Sequence, residues 1–427
     1  MSTTQFLLLV LLNVIASSQA LADENISLDK NISLDQATAL ALQANPNIAI
    51  VLREREVEGA QLLQAAARPN PTLSGQVQDL RSQNRIVSIA ISQQLETAGK
   101  RDKRLVAADA SLAIADADIT IARAETSAKV YASFYQVLAA QQALSLAQEL
   151  LQIASISKET TAKRVLAGKV SPVEETKSKV VEAGLKLELA QASQQLVSAK
   201  QHLVSLWVKG NSDVSVLSFI PINFTAVGEL EKLKDLPALN DLMAQLPDSP
   251  RLQKSALTIS QRQAISAIEK SKQTPDVTLS LGAQRNEELG GITQAIIGLS
   301  IPIPVFDKNQ GNLQSARARE LLALDEKSAL ENQLQTELSN AYGRRQLQIE
   351  ASNIYKQDIL QGAQSAYEAV RKGFEFGKFS FLEVLDAQRS LFQAKTQYIQ
   401  TLVLAHHAQA DIYTILGTVI IQSGNKE

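Results

Sequence analysis

The chain has 427 residues, 42 Lys+Arg against 44 Asp+Glu, and no cysteine. The near-neutral balance gives no basic footprint for nucleic acid, and the missing thiols exclude disulfides, thiolate metal sites and a cysteine nucleophile. Hydrophobic residues make up 45% but aromatics only 4%, which suits long helices packed through small side chains better than a compact enzyme core.

Residues 1–22 read as a secretory signal. An apolar run over 6–15, broken by Asn13, precedes Ala20-Leu21-Ala22, an A-x-A cleavage pattern. The residues before that run carry no Lys or Arg, which departs from the usual signal. The run is too short to span a bilayer, and no later stretch offers ~20 unbroken apolar residues, so no transmembrane helix is expected.

A first structural repeat is expected over 23–206. Ser33 or Asp35 caps a short helix, Asn45-Pro46 ends it, and a second helix runs to about residue 67. Pro69-Asn70-Pro71 breaks the pattern. A weak strand follows over 72–80 and a stronger one over 86–95, where Val87, Ile89 and Ile91 alternate with Ser88, Ala90 and Ser92. Residues 100–167 contain neither glycine nor proline. As one helix, roughly 66 such residues would span ~100 Å. The chain then reverses at a tip, 164–172. Gly168 permits the tight turn, Ser171 caps the next helix, and Pro172 has the φ its first turn needs.

Residues 207–247 hold Gly210, Pro221, Gly228, Pro237 and Pro247 and read as an irregular segment on the flank of the helices. The plan then restarts over 248–417. Ser249-Pro250 echoes Asn45-Pro46, and Pro275-Asp276-Val277-Thr278-Leu279-Ser280 echoes Pro69-Asn70-Pro71-Thr72-Leu73-Ser74. Two alternating strands flank the loop at Gly290-Gly291, and Pro302 and Pro304 stop the second. A helix is expected from 311 to 372, a second tip over 373–381 and a last helix over 381–416, with 418–427 as a tail. At the tips, Gly377-Lys378-Phe379-Ser380 matches Gly168-Lys169-Val170-Ser171. Each half therefore reads as short helix, two strands, very long helix, tip, shorter helix.

The lengths imply an architecture. The two shorter helices of each half, laid end to end, nearly equal the long one, which gives an elongated antiparallel body of order ~100 Å. Strand pairs lie at one end and tips at the other. Strands of nine or ten residues suit a tilted transmembrane strand. Four strands cannot close a barrel, and lipid does not tolerate an open edge, so several chains must share one barrel. Three chains would give twelve strands. Against this, residues 71–95 and 275–301 contain no Phe, Tyr or Trp, so the strands lack an aromatic girdle. The competing reading is a periplasmic coiled-coil adaptor or scaffold that spans no membrane.

Two stretches carry a resemblance. They are Leu299-Ser300-Ile301-Pro302-Ile303-Pro304-Val305-Phe306-Asp307-Lys308-Asn309-Gln310-Gly311-Asn312 and Phe379-Ser380-Phe381-Leu382-Glu383-Val384-Leu385-Asp386-Ala387-Gln388-Arg389. Here the chain resembles the TolC family of outer-membrane efflux proteins, over nearly all of its mature length. The first stretch looks most like the heavy-metal branch, serving cobalt-zinc-cadmium and copper-silver systems. The resemblance implies a mainly α fold with a small transmembrane β part. Long helical hairpins would form a periplasmic α-barrel, and four strands per chain a 12-strand trimeric β-barrel in outer-membrane lipid. It also implies a homotrimer acting as a passive exit duct for heavy-metal cations, with no cofactor. Its partners would be a periplasmic adaptor (membrane fusion protein) and an inner-membrane resistance-nodulation-division pump.

The family's tip pattern, Arg-x-x-x-Gly-x-x-Ser, is met by Arg164, Gly168 and Ser171, and the resemblance implies that these meet the adaptor. The second tip keeps Gly377 and Ser380 but has Gly373 in place of the arginine. Without cysteine the chain cannot carry the lipid anchor found in some members. Glu368 and Glu375 are candidates to line a closed tunnel end and favour cations, against the plainer reading of a solvated helix face. His406 and His407 point about 100° apart on a helix and make no natural chelating pair, so no metal site is expected. No Ser-His-Asp spacing, phosphate loop or HExxH pattern suggests an enzyme.

Overall fold

A computed structural model describes residues 31–208 and 223–420. The signal expected at 1–22 lies outside the described residues, as do 209–222 of the irregular segment and 421–427 of the tail. The chain enters through β1 (Asn31–Ile32), paired in parallel with β4 (Thr225–Ala226). Ser33, rather than Asp35, caps α1 (Leu34–Ala44). Its Oγ accepts from the Gln36 amide while the Gln36 side chain accepts from the Ser33 amide. Asn45 then does two things. Its Oδ1 caps α2 (Pro46–Ala66), and its Nδ2 donates to the Leu206 carbonyl at 2.6 Å.

That second bond marks a joint. The helix α3 (Lys100–Leu166) runs unbroken for 67 residues, as the absence of Gly and Pro predicts. Beside it lie α2 and, end to end with α2, α4 (Pro172–Val204). Asn45 holds the two short helices together where they meet. The second half repeats the plan with α6 (Pro250–Ser271) and α9 (Phe381–Leu416), both packed on α3 and on the second long helix. Its joint is steric rather than polar. Gly417 ends α9 at φ +73°, and the Pro250 ring sits where a Cβ at Gly417 would be. Between β4 and α6, the flank segment holds one short helix, α5 (Leu239–Gln245), and a 3-10 turn.

The second long helix departs from expectation. Sequence predicts one helix over 311–372. The structure has α7 (Gln310–Ile354), a π turn at Tyr355–Ile359, and α8 (Leu360–Glu375). A π turn adds a residue without needing glycine or proline, so composition does not announce it.

The four long strands form one antiparallel sheet in the order β2-β3-β5-β6: β2 (Thr72–Gln78), β3 (Ile86–Leu95), β5 (Val277–Asn286) and β6 (Ile292–Ser300). Thr72 faces Ser92, Ser92 faces Ser280, and Thr278 faces Ser300. This register sorts the side chains into two faces. Leu73, Val77, Val87, Ile89, Ile91, Leu279, Leu281, Ile297 and Leu299 share one face, and all are exposed. Ser74, Gln76, Ser88, Ser92, Ser280 and Gln284 share the other. The outer strands β2 and β6 each have one unpaired edge. At the foot of the sheet, Asp276 accepts from the Thr97 amide, Lys100 Nζ and Gln94 Nε2 at 2.6–2.9 Å, fastening the first half to the second.

The densest packing sits at the waist, not at either end. Phe134, Trp207, Phe224, Leu230 and Tyr413 gather around α3, and the strap after β4 closes over them. Six aromatic residues of an aromatic-poor chain, Tyr131, Phe134, Tyr135, Trp207, Phe224 and Tyr413, are buried here. His406 lies fully buried among them. Its Nε2–H donates to the Leu230 carbonyl at 2.9 Å, because a carbonyl can only accept. Nδ1 therefore accepts from the Tyr131 hydroxyl at 2.8 Å, and the Tyr135 ring stacks on the imidazole with centroids 3.4 Å apart. Arg345 extends the network, donating to Gln409 Oε1 and to the Lys234 carbonyl.

Burial pushes His406 down from 6.5 to about 4, with the Leu230 bond opposing the shift. The unfolded chain therefore takes up this proton before the folded one does. The stabilisation is complete above pH ~6.5 and is lost as pH falls toward ~4, a change of up to about 3 kcal/mol. Thermal unfolding from pH 7 to 4 should show this acid loss in the native chain and a shallower one in His406→Gln. Equal slopes for the two would show that His406 does not titrate as described.

Candidate functional site

The two tips are built alike. At the first, Gly168 takes φ +67°, and the Lys169 amide reaches back to the Arg164 carbonyl at 2.9 Å. At the second, Gly377 takes φ +73°, and the Lys378 amide reaches the Gly373 carbonyl at 2.8 Å. Both are left-handed helix ends that only glycine adopts without strain. A Cβ at Gly168 or Gly377 would meet nothing within 4 Å, so conformation rather than space selects glycine. Ser171 Oγ then accepts from the Val173 amide at 3.3 Å. Ser380 forms a full capping box with Glu383, whose Oε2 accepts from the Ser380 amide at 2.6 Å.

Arg164 has a partner that sequence reading did not identify. Its Nη2 donates to the Phe374 carbonyl at 2.9 Å, across 210 residues. Its guanidinium carbon lies 4.1 Å from the centroid of the Phe374 ring, a cation–π arrangement. The half-buried arginine of the first tip thus grips the second. The missing arginine at the second tip also has a reason. Gly373 is buried, and a Cβ there would overlap the Phe379 ring. The second tip folds its own aromatic residue over the position where the first tip carries a cation. Four of the chain's ten phenylalanines fall at 374, 376, 379 and 381, and that clustering was the available signal.

Around these turns the surface is apolar. Leu166 is 88% exposed and Phe376 80%, with Val173, Phe379 and Leu382 also exposed. Glu368 and Glu375 are exposed on α8, two turns apart on one face, and Glu368 accepts from Gln364 at 2.6 Å. Arg164, Gly168, Gly377 and the caps Ser171 and Ser380 therefore come together at one end, with the two acids just above on the second hairpin. His407 lies beside His406 without joining it in a site, and His202 Nδ1 pairs with Ser133 at 3.0 Å. Among the described residues, no group of three or more His, Asp or Glu is placed to hold a metal ion. Nor is any described helix long and apolar enough to cross a membrane.

A family profile described as outer membrane efflux protein matches residues 37–208 and 244–418, which are the helices and strands of both halves. The chain belongs to this family. As an outer membrane efflux protein it is 38% identical over 381 residues to the cobalt-zinc-cadmium resistance protein CzcC of Cupriavidus metallidurans, covering 89% of each chain. The fold is shared with solved structures at lower identity. A membrane protein from Pseudomonas aeruginosa aligns with TM-score 0.76 at 19% identity, covering 90% of this chain and 92% of that one. The outer membrane protein VceC of Vibrio cholerae aligns with TM-score 0.72 at 20% identity, covering 90% and 96%. Family members are ducts of the outer membrane rather than enzymes, which sets aside the reading of a scaffold that spans no membrane.

In this efflux protein the Arg164 contact should couple the two tips. Arg164→Ala should speed amide exchange at Gly377 and Lys378 roughly tenfold, the loss of one charge-assisted bond and one ring contact. Arg164→Lys, which keeps the charge but not the planar fork, should fall between. Unchanged exchange in Arg164→Ala would mean that the second tip holds itself.

Proposed function

We propose that this efflux protein is the passive exit duct of a tripartite pump that removes heavy-metal cations. Three copies share a 12-strand barrel, and their helices form a tunnel in the periplasm. The observation that carries the reading is the one-sided sheet. A single chain presents nine exposed apolar side chains on one face, a more polar set of serines and glutamines interspersed with Ile86, Ala90, Ile292 and Ile296 on the other, and two unpaired edges. That is a segment of a barrel wall with lipid outside and water inside. Helices of order ~100 Å hang from it and end in the two tips. Similarity to CzcC supports a metal substrate, and the inner-membrane pump selects which one.

The tips are the docking end. Their exposed Leu166, Val173 and Phe376, together with the tight Gly168 and Gly377 turns, suit close approach by a second set of helical hairpin ends. Arg164, Gly168, Ser171, Gly377 and Ser380 shape that surface, and an adaptor of the membrane fusion class would bring in the resistance-nodulation-division transporter. Glu368 and Glu375 stand on α8 where a closed tunnel end would narrow, and they favour cations there. Opening would come from small changes in helix packing once the two tips part.

A strain lacking the chain should become sensitive to cobalt, zinc or cadmium, and the native gene should restore growth. Sensitivity confined to antibiotics would remove the metal assignment. Among complementing variants, Gly168→Pro and Arg164→Glu should still yield a membrane-inserted trimer but fail to restore resistance. Loss of the trimer itself would make the tip a structural element.

A further inference from the structure

We infer that β6 of one chain pairs with β2 of a second copy in one fixed register, with Ser300 opposite Ser74. The inference rests on the reading that several copies share one barrel, and it identifies which residues meet. It comes from the duplication. Within the first half Thr72 pairs with Ser92, and within the second Thr278 pairs with Ser300. Thr72 therefore corresponds to Thr278, and Ser92 to Ser300. The junction between halves, β3 against β5, is made inside the chain. There Ser92 faces Ser280, and their hydroxyl oxygens lie 2.9 Å apart.

Applying the same correspondence to the open edges replaces Ser92 by Ser300 and Ser280 by Ser74. The serine pair is conserved in kind across the junction the single chain leaves open. Its apolar face also agrees. Ile301 would face Leu73, Leu299 would face Gly75, and Ile297 would face Val77, so these three pairs on the lipid side are apolar, as Ile91 against Leu281 and Ile89 against Ala283 are at the internal junction. On the small face, the internal junction places Gly282 against Ala90, so close that a Cβ would lie 2.5 Å from the Ile89 carbonyl oxygen. At the open junction the glycine comes from the other strand: Gly298 would face Gln76. A slip by one residue would bring the Leu73 face against the Ser300 face and mix lipid-facing with lumen-facing side chains. Within one chain the pair cannot form. β2 and β6 are the two outer strands, three strand spacings or ~14 Å apart.

The chain contains no cysteine, so an introduced pair reports without background. Ser74→Cys with Ser300→Cys, oxidised in isolated outer membranes, should give disulfide-linked species at two and three times the chain mass on a non-reducing gel. The link should form as completely as the internal control, Ser92→Cys with Ser280→Cys, which closes within one chain and leaves the mass unchanged. Either single variant should stay at the chain mass. Gln76→Cys with Ser300→Cys, two residues out of register, should link at least tenfold less. Preferential linking of that shifted pair would overturn the register. If neither pair links while the internal control does, β2 and β6 are not neighbours. The native mass of the unmodified protein in detergent separates the two readings. A trimer with failed Ser74–Ser300 linking would overturn this pairing alone, whereas a monomer would overturn the shared barrel.

Discussion

Hydrocarbon offers no hydrogen-bond partner, and that constraint shapes the rest of this protein. Each unpaired amide or carbonyl costs several kcal/mol in a bilayer. β2 and β6 each present one such edge, so a lone chain entering lipid would face a penalty on the order of tens of kcal/mol. The apolar face of the sheet can therefore enter the membrane only when both edges are covered. Insertion and assembly are tied together. The duplicated sequence supplies both edges with matching patterns, so identical copies can satisfy one another.

The same division of labour runs down the body. The strands are held at their foot by Asp276 and its three donors, which bridge the halves. The waist holds the buried aromatic residues and the His406–Tyr131 and Arg345–Gln409 contacts. Below it the helices pack mainly on one another, and the tips have little core of their own. Local stability should follow this packing, highest at the waist and lowest at the tips.

Much of the fold was legible because proline and glycine mark its joints. Asn45-Pro46, Pro69-Asn70-Pro71, Gly168 and Gly377 all fall at element ends, and strand alternation anticipated which side chains share a face. Other features left no local trace. The π turn at Tyr355–Ile359 has no breaker residue. Asn45 reaches Leu206 and Arg164 reaches Phe374 across more than a hundred positions, and no spacing rule connects such pairs. Gly373 looked like a missing arginine when read against Arg164; in space it is the room that Phe379 occupies. His406, one of three histidines, reads as an ordinary helical residue until the strap carrying Leu230 is placed over it.

Arg164 ties the tips together without an opposing charge. It holds a ring face and a backbone carbonyl, neither of which titrates. An ion pair at this position would weaken as mobile ions screened it. A cation against a π face and a peptide dipole, partly shielded from water, is far less exposed to that screening. The outer membrane leaves small ions in the periplasm close to those of the medium. The link between the hairpins would therefore hold through swings in external salinity, and its release would be left to contact with a partner rather than to the weather outside the cell.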